Sequence, residues 1–155
     1  MPKSRTLKAG DKAPAIDLLD QHGKPFTLKG LGKRKVLVYF YPRADTPGCT
    51  QQSCLLRDIR GDIGRTAIVG ISPDTPAKQL RFDTKYSLGF PLLADTEHVA
   101  AKAYNVWKKK SMYGREYMGI ERSAFLINAN GVIDHAWYKI SPKDTPTNLL
   151  DALGK

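Results

Sequence analysis

The run from Val36 to Tyr41, VLVYFY, is the feature that most limits how this chain can fold. Its six consecutive residues are apolar and favour strands, and Pro42 ends the run because a proline removes a backbone donor from a sheet. Since apolar and polar residues do not alternate, a strand here needs cover on both faces. The run therefore predicts a central sheet with other elements packed on either side.

Other segments extend this pattern. Asn130-Gly131 is a strong hairpin signal, and several segments lack strand alternation but space their apolar residues as a helix does. Strands mixed with helices in this order predict the α/β class, with a central mixed sheet flanked by helices. The predicted strands are 36–41, 67–71, 124–127 and 132–138, and the predicted helices are 50–60, 76–88, 97–105 and 146–153.

Length and charge exclude several classes of protein. The chain has 155 residues and a formal net charge of +10, without a linker or low-complexity tract, so we expect one domain over 1–155. No apolar run approaches the roughly 20 residues that span a bilayer, and no apolar segment follows the basic N-terminus as in a secretory signal. A cytoplasmic location is expected. The basic runs 33–35 and 108–110 are short and lack interleaved aromatic residues, which favours a solvated basic surface over a nucleic-acid site.

The tripeptide Asp-Thr-Pro occurs three times, at 45–47, 74–76 and 144–146, each time before a predicted helix. Threonine suits the N-cap because its oxygen can accept a backbone N–H, and proline suits the first helical position. Thr-Pro alone therefore predicts a helix start. Only the first copy is followed by a cysteine, so only that copy needs a chemical explanation.

Cys49 falls in the first turn of the helix that the first copy starts. The positive end of the helix dipole favours an anion there, and cysteines at helix N-termini can be strongly acidified. A fall in a thiol pKa from about 8.5 to about 6 raises the thiolate fraction at pH 7 from roughly 3% to roughly 90%. Cys49 is thus a candidate nucleophile. Its position is equally compatible with a buried small apolar side chain.

Cys54 is the second of the two cysteines, five residues further on. On an α-helix that spacing separates them by about 7.5 Å along the axis and about 140° around it. A disulfide usually needs Cα atoms within about 7 Å, so a bond between them requires the start of the helix to unwind. The spacing is poor for a permanent crosslink. It favours a cysteine that reacts first and is joined to the second after local unfolding.

The segment resembles the active site of the peroxiredoxins, whose pattern is Pro-x-x-x-Thr-x-x-Cys. Pro42, Thr46 and Cys49 match every fixed position, and Cys54 makes the segment similar to the bacterioferritin comigratory (Q-type) subgroup. The resemblance runs from about Gly10 to the C-terminus. It includes FYP before the motif, GISPD at 70–74, FPLLAD at 90–95 and MYGREYMGIERS at 112–123.

The resemblance implies a thioredoxin-like fold, a thiol peroxidase and roles for individual residues. Cys49 would attack the peroxide, Thr46 would hydrogen-bond the thiolate and the peroxide, and Pro42 would shield the thiolate from water. Thr46 as a plain helix cap and Pro42 as a plain strand terminator remain open. Arg122, a surface charge by sequence alone, aligns with an arginine that stabilises the thiolate and the reacting oxygens.

The family chemistry implies that Cys49 becomes a sulfenic acid, which then forms a disulfide with a thiol. Cys54 is the only other thiol in the chain. An external donor, thioredoxin or a similar dithiol protein, would reduce the disulfide, and the resemblance favours a monomer. No metal or organic cofactor is implied, since the three histidines, His22, His98 and His135, lie far apart without cysteines at zinc spacing.

Three alternatives stay open at this stage. A thiol-disulfide oxidoreductase ordinarily carries C-x-x-C, whereas this chain has four residues between its cysteines. A cysteine hydrolase would pair Cys49 with His135, and no spacing favours that pair. A non-catalytic basic binding module would bind DNA in a salt-dependent way without turnover.

Overall fold

The computed structural model describes residues 6–155 as nine strands and four α-helices. None of the helices within these residues combines the length and apolar character needed to cross a membrane. The strands are β1 (Asp17–Leu19), β2 (Pro25–Thr27), β3 (Val36–Phe40), β4 (Ala67–Ser72), β5 (Leu92–Ala94), β6 (Trp107–Met112), β7 (Arg115–Ile120), β8 (Ser123–Ile127) and β9 (Ile133–Trp137). The α-helices are α1 (Pro47–Asp58), α2 (Pro76–Tyr86), α3 (Val99–Ala103) and α4 (Asp144–Ala152).

Seven strands form one mixed sheet in the order β2-β1-β5-β4-β3-β8-β9, and β6 and β7 form a separate hairpin. β3 runs parallel to β4 and antiparallel to β8, so that Val38 lies between Val69 and Phe125. All five residues of β3 are buried. The prediction of a strand covered on both faces is confirmed.

The two faces of β3 belong to two different apolar clusters. Val38 and Phe40 pack on the side that includes α3 residues, whereas Leu37 and Tyr39 pack on the other side. That second side receives side chains from α1, α2 and α4. Cys49 is one of them, so the folding of the sheet fixes the position of α1.

The predicted helices and strands agree with the structure to within a few residues at each end. Five of the nine strands were not predicted: β1, β2 and β5 have three residues each, too few to show a periodicity, and β6 and β7 form a largely exposed hairpin that is rich in polar and charged residues. The Asn-Gly signal is confirmed, because β9 follows it and pairs antiparallel with β8.

The Asp-Thr-Pro prediction is confirmed for two copies and wrong in detail for the third. Thr46 and Thr75 are the N-cap residues of α1 and α2. The helix at the third copy, α4, begins at Asp144, which places Thr145 inside its first turn. The reason is that the Ser141 hydroxyl accepts the Asp144 N–H (3.0 Å) and so takes the role expected of Thr145.

Candidate active site

Cys49 is the third residue of α1 and is buried, with 1% of its surface exposed. Its side chain packs in the cluster that also contains Tyr39 and Tyr41 of the β3 region. Cys54 lies on the same helix, is half-buried and packs against that cluster. Both thiols are free, so one continuous helix holds both reduced cysteines.

Arg122 is in contact with Cys49 although 73 residues separate them, and its Nη2 lies 3.4 Å from Cys49 Sγ. The topology explains the contact, because β8 starts one residue after Arg122 and Ser123 pairs with Phe40 at the end of β3. Gly48 leaves the space that the guanidinium fills. A Cβ at Gly48 would lie only 3.1 Å from Nη2, so this glycine permits the close approach.

Gln52, a residue that no sequence motif indicated, holds the guanidinium from the other side. Arg122 Nη1 donates to Gln52 Oε1 (2.7 Å), and Gln52 Nε2 donates to Thr145 Oγ1 (2.8 Å). The Thr145 hydroxyl in turn donates to the carbonyl of Ser141 (2.9 Å). Gln52 is fully buried. Its spacing of three residues from Cys49 places both side chains on one helix face, which is the sequence signal that could have selected it.

Thr46 and Pro42 lie in the turn between β3 and α1. The Thr46 hydroxyl donates to the carbonyl of Arg43 (2.8 Å). Its single proton is therefore used there and is not directed at Cys49, although its lone pairs can still accept. Pro42 is half-buried one residue after Tyr41, whose N–H donates to the carbonyl of Ile71 in β4 (3.0 Å).

Two further ionisable groups interact with the cysteine region. Burial raises the pKa of Tyr39 far above its usual range, and the neutral phenol shares a 2.7 Å hydrogen bond with Ser53 of α1. Lys110 of β6 is half-buried, and burial lowers its pKa, with Arg122 lowering it further. Lys110 also interacts electrostatically with Cys49. The site is thus a buried thiol in a cationic surrounding.

A cysteine in the first turn of a helix with an arginine beside its sulfur has the surroundings of a reactive thiolate, as found in thiol-dependent redox enzymes. The AhpC/TSA family matches residues 9–136. Peroxiredoxin Bcp of Bacillus subtilis is 41% identical over 150 residues, which cover 96% of each chain. Peroxiredoxin Bcp of Escherichia coli K12 is 46% identical over 133 residues, covering 84% of this chain and 85% of its own.

Solved structures agree with these relatives. The crystal structure of peroxidoxin BcpB from Mycobacterium tuberculosis has a TM-score of 0.85 at 31% identity and covers 96% of this chain and 97% of its own. The bacterioferritin comigratory protein of Xanthomonas campestris, studied for its alkyl peroxide reduction, has a TM-score of 0.83 at 31% identity, with 90% of both chains covered. The chain belongs to the AhpC/TSA family, as a peroxiredoxin with a thioredoxin-like fold.

Proposed function

We propose that this thiol peroxidase reduces hydrogen peroxide and organic hydroperoxides with Cys49 as the attacking thiolate and Cys54 as the resolving thiol. The observation that carries the assignment is the 3.4 Å contact between Arg122 Nη2 and Cys49 Sγ, which provides a fixed cation beside the thiol. Organic substrates are included because the Xanthomonas campestris relative was studied for alkyl peroxide reduction.

In the first step the thiolate of Cys49 attacks one oxygen of the peroxide, and the O–O bond breaks as the S–O bond forms. The sulfur is oxidised to a sulfenic acid, and the leaving oxygen takes a proton to depart as water or an alcohol. Negative charge develops on the two oxygens during this step. The guanidinium of Arg122, held in place by Gln52, stabilises that charge.

In the second step the Cys54 thiolate attacks the sulfenic sulfur, and the S–O bond breaks as the S–S bond forms. The leaving hydroxide takes a proton and departs as water. Because both cysteines lie on α1, the segment 49–54 must unwind first. Gln52 is within that segment, so unwinding also breaks its hydrogen bonds to Arg122 and Thr145. Formation of the disulfide therefore dismantles the peroxide site until a reductant restores it.

Recycling of the enzyme needs an external reductant. A dithiol protein such as thioredoxin would return the disulfide to two thiols by exchange. This requirement favours a reducing compartment, the cytoplasm. We further propose that the protein is a monomer. We also propose that the chain acts as one domain, which is supported by the seven-stranded sheet that links strands from Asp17 to Trp137.

Intact-mass measurement after one equivalent of hydrogen peroxide tests the assignment. The wild type should lose two mass units as the disulfide forms. Cys54→Ser should gain one oxygen at Cys49, and dimedone should trap the product. Cys49→Ser should leave the peroxide unconsumed, because a hydroxyl does not ionise at neutral pH.

The experiment also needs a control for folding. Each variant must show the far-UV circular dichroism of the wild type, so that a loss of reaction is not a loss of fold. If folded Cys54→Ser consumes no peroxide while Cys49→Ser still does, the roles of the two cysteines are reversed.

A further inference from the structure

Asp74 is a buried carboxylate that none of the steps above uses. It lies between β4 and α2 and is 8% exposed. One of its oxygens, Oδ2, accepts two hydrogen bonds, from the N–H of Ala44 (2.7 Å) and from the hydroxyl of Ser72 (2.6 Å). Within residues 6–155 no Lys, Arg or His forms an ion pair with it. Its charge is balanced by fixed hydrogen-bond donors.

A buried network fixes the direction of those donors. The phenol of Tyr41 donates to Gln79 Oε1 (2.6 Å), which orients the amide so that Gln79 Nε2 donates to Ser72 Oγ (2.9 Å). The Ser72 oxygen accepts from Gln79, and its one proton is donated to Asp74 Oδ2, because a carboxylate oxygen can only accept. All three of these residues are at most 1% exposed. The network therefore requires an acceptor at the position of Asp74 Oδ2.

The other donor to Asp74 leads directly to the active-site turn. Arg43 and Ala44 share one peptide group, whose N–H donates to Asp74 and whose carbonyl accepts the hydroxyl of Thr46. A peptide group is planar, so fixing its N–H fixes its carbonyl as well. Asp74 therefore sets the direction in which Thr46 donates its proton.

We propose that Asp74 is a positioning residue of the peroxide site, which acts through the Arg43–Ala44 peptide to hold Thr46 as a hydrogen-bond acceptor. With its proton on the Arg43 carbonyl, the Thr46 hydroxyl can accept only from another donor. A hydroperoxide has such a donor in its O–H group. Thr46 thus orients the terminal, protonated oxygen of the substrate, while Arg122 faces the developing negative charge.

The surrounding turn supports a relay of this kind. Asp45 has a left-handed backbone with φ of 59°, a conformation that is uncommon for residues other than glycine and that aspartate tolerates better than most. A second, exposed tie joins Asp45 to Lys85 (2.9 Å) and to the phenol of Tyr86 (2.7 Å). Exposed ion pairs contribute little to stability, so the buried hydrogen bond between Asp74 and Ala44 is the interaction that sets the geometry of the turn.

The proposal rests on the proposed attack by Cys49, and a double-mutant cycle tests it separately. The rate constant for oxidation of Cys49 by hydrogen peroxide is measured by stopped flow for Asp74→Ala, Thr46→Val and the double variant. Asp74→Ala should slow the reaction about tenfold, as expected for the loss of one oriented hydrogen bond. If Asp74 acts through Thr46, Asp74→Ala should cause no further slowing when Thr46→Val is already present.

Two further variants keep the outcome interpretable. Asp74→Asn retains an oxygen that can accept from both Ala44 and Ser72, so it should keep most of the rate. It replaces Asp74→Ala in the experiment if Asp74→Ala does not fold. Lys85→Met removes the exposed ion pair to Asp45, leaves the Tyr86 hydrogen bond in place, and should change the rate less than twofold. The proposal is overturned if Asp74→Ala slows the reaction equally in the wild type and in Thr46→Val. It is also overturned if Asp74→Ala reacts at the wild-type rate. A wild type that does not react with peroxide overturns the proposed function instead.

Discussion

The first two Asp-Thr-Pro segments begin α1 and α2 with the same three residues, yet their threonines do different things. Thr75 caps α2 by accepting the N–H of Lys78 (3.3 Å). Thr46 occupies the same position of α1 but donates to Arg43, and none of the described side chains caps that helix. The local signal for a helix start is therefore used for stability in α2 and is diverted to the reactive turn in α1.

The residue three positions further along each helix completes the contrast. In α2 it is Lys78, an exposed side chain, whereas in α1 it is Cys49, buried against Arg122. A helix N-terminus favours an anion, so a lysine there gains nothing from the dipole and a thiolate does. The third copy belongs with the first, because Thr145 binds Gln52 and through it the arginine of the site.

The largest expected difference between α1 and α2 appears on oxidation. Disulfide formation must unwind the start of α1, so amides of residues 50–57 should exchange hydrogen roughly a hundredfold faster in the disulfide form than in the reduced form. Residues 76–86 of α2 should exchange at the same rate in both forms. Hydrogen exchange with mass spectrometry on both redox forms measures this.

Cys54→Ser treated with peroxide is the control for that experiment, since it is oxidised but forms no internal disulfide, and its α1 should stay protected. Equal protection of 50–57 in both wild-type forms would mean that Cys54 is not the resolving thiol, because the reduced protein holds these residues in a helix.

A second prediction concerns the arginine that distinguishes α1 from α2. Arg122→Ala should slow attack on peroxide about a hundredfold, the usual effect of removing one charge-assisted donor from a reacting site. The slowing should persist at high pH, where every thiol is ionised, since Arg122 also stabilises charge that develops during the reaction. Stopped-flow rates as a function of pH measure this. Arg115→Ala, which removes an exposed arginine of β7, is the matched control, and a wild-type rate for Arg122→Ala at high pH would restrict Arg122 to ionising the thiol.

Much of the fold follows from the sequence because its signals are local. The apolar run 36–41 and the Asn130-Gly131 turn specify β3 and the β8–β9 hairpin without reference to the rest of the chain. The strands of three residues could not be predicted in this way. They exist because a neighbouring strand supplies the hydrogen bonds, as Leu92 and Ala94 show by pairing with β4.

The residues of the site also differ in whether a local sequence signal reveals them. Cys49 and Thr46 could be selected from their positions at a helix start, since that is local information. Arg122 came only from the family resemblance, and Gln52, Thr145 and Asp74 were not selected. These residues reach the site through pairing of β3 with β4 and β8 and through packing of α4 on α1, which no segment of the chain encodes alone.

The last prediction compares the same substitution, threonine to valine, at Thr46 and at Thr75. Its expected effects are the smallest. Thr46→Val should slow the reaction of Cys49 with peroxide about tenfold, because the substrate loses an oriented acceptor, and should change stability little, because this hydroxyl does not cap α1. Thr75→Val should have the opposite result. It removes a working cap, so the free energy of unfolding should fall by about 1 kcal/mol while the peroxide rate stays within twofold of wild type.

Valine has the shape of threonine without the hydroxyl, so each substitution changes one hydrogen-bonding group at an identical helix position. Urea unfolding of the reduced proteins gives the stability, and stopped flow gives the rate for the same samples. Since the two helices start with the same Thr-Pro pair, each variant is the other's control. A loss of stability without a loss of rate in Thr46→Val would show that the hydroxyl acts as a plain cap, and the relay from Asp74 would then have no group to position.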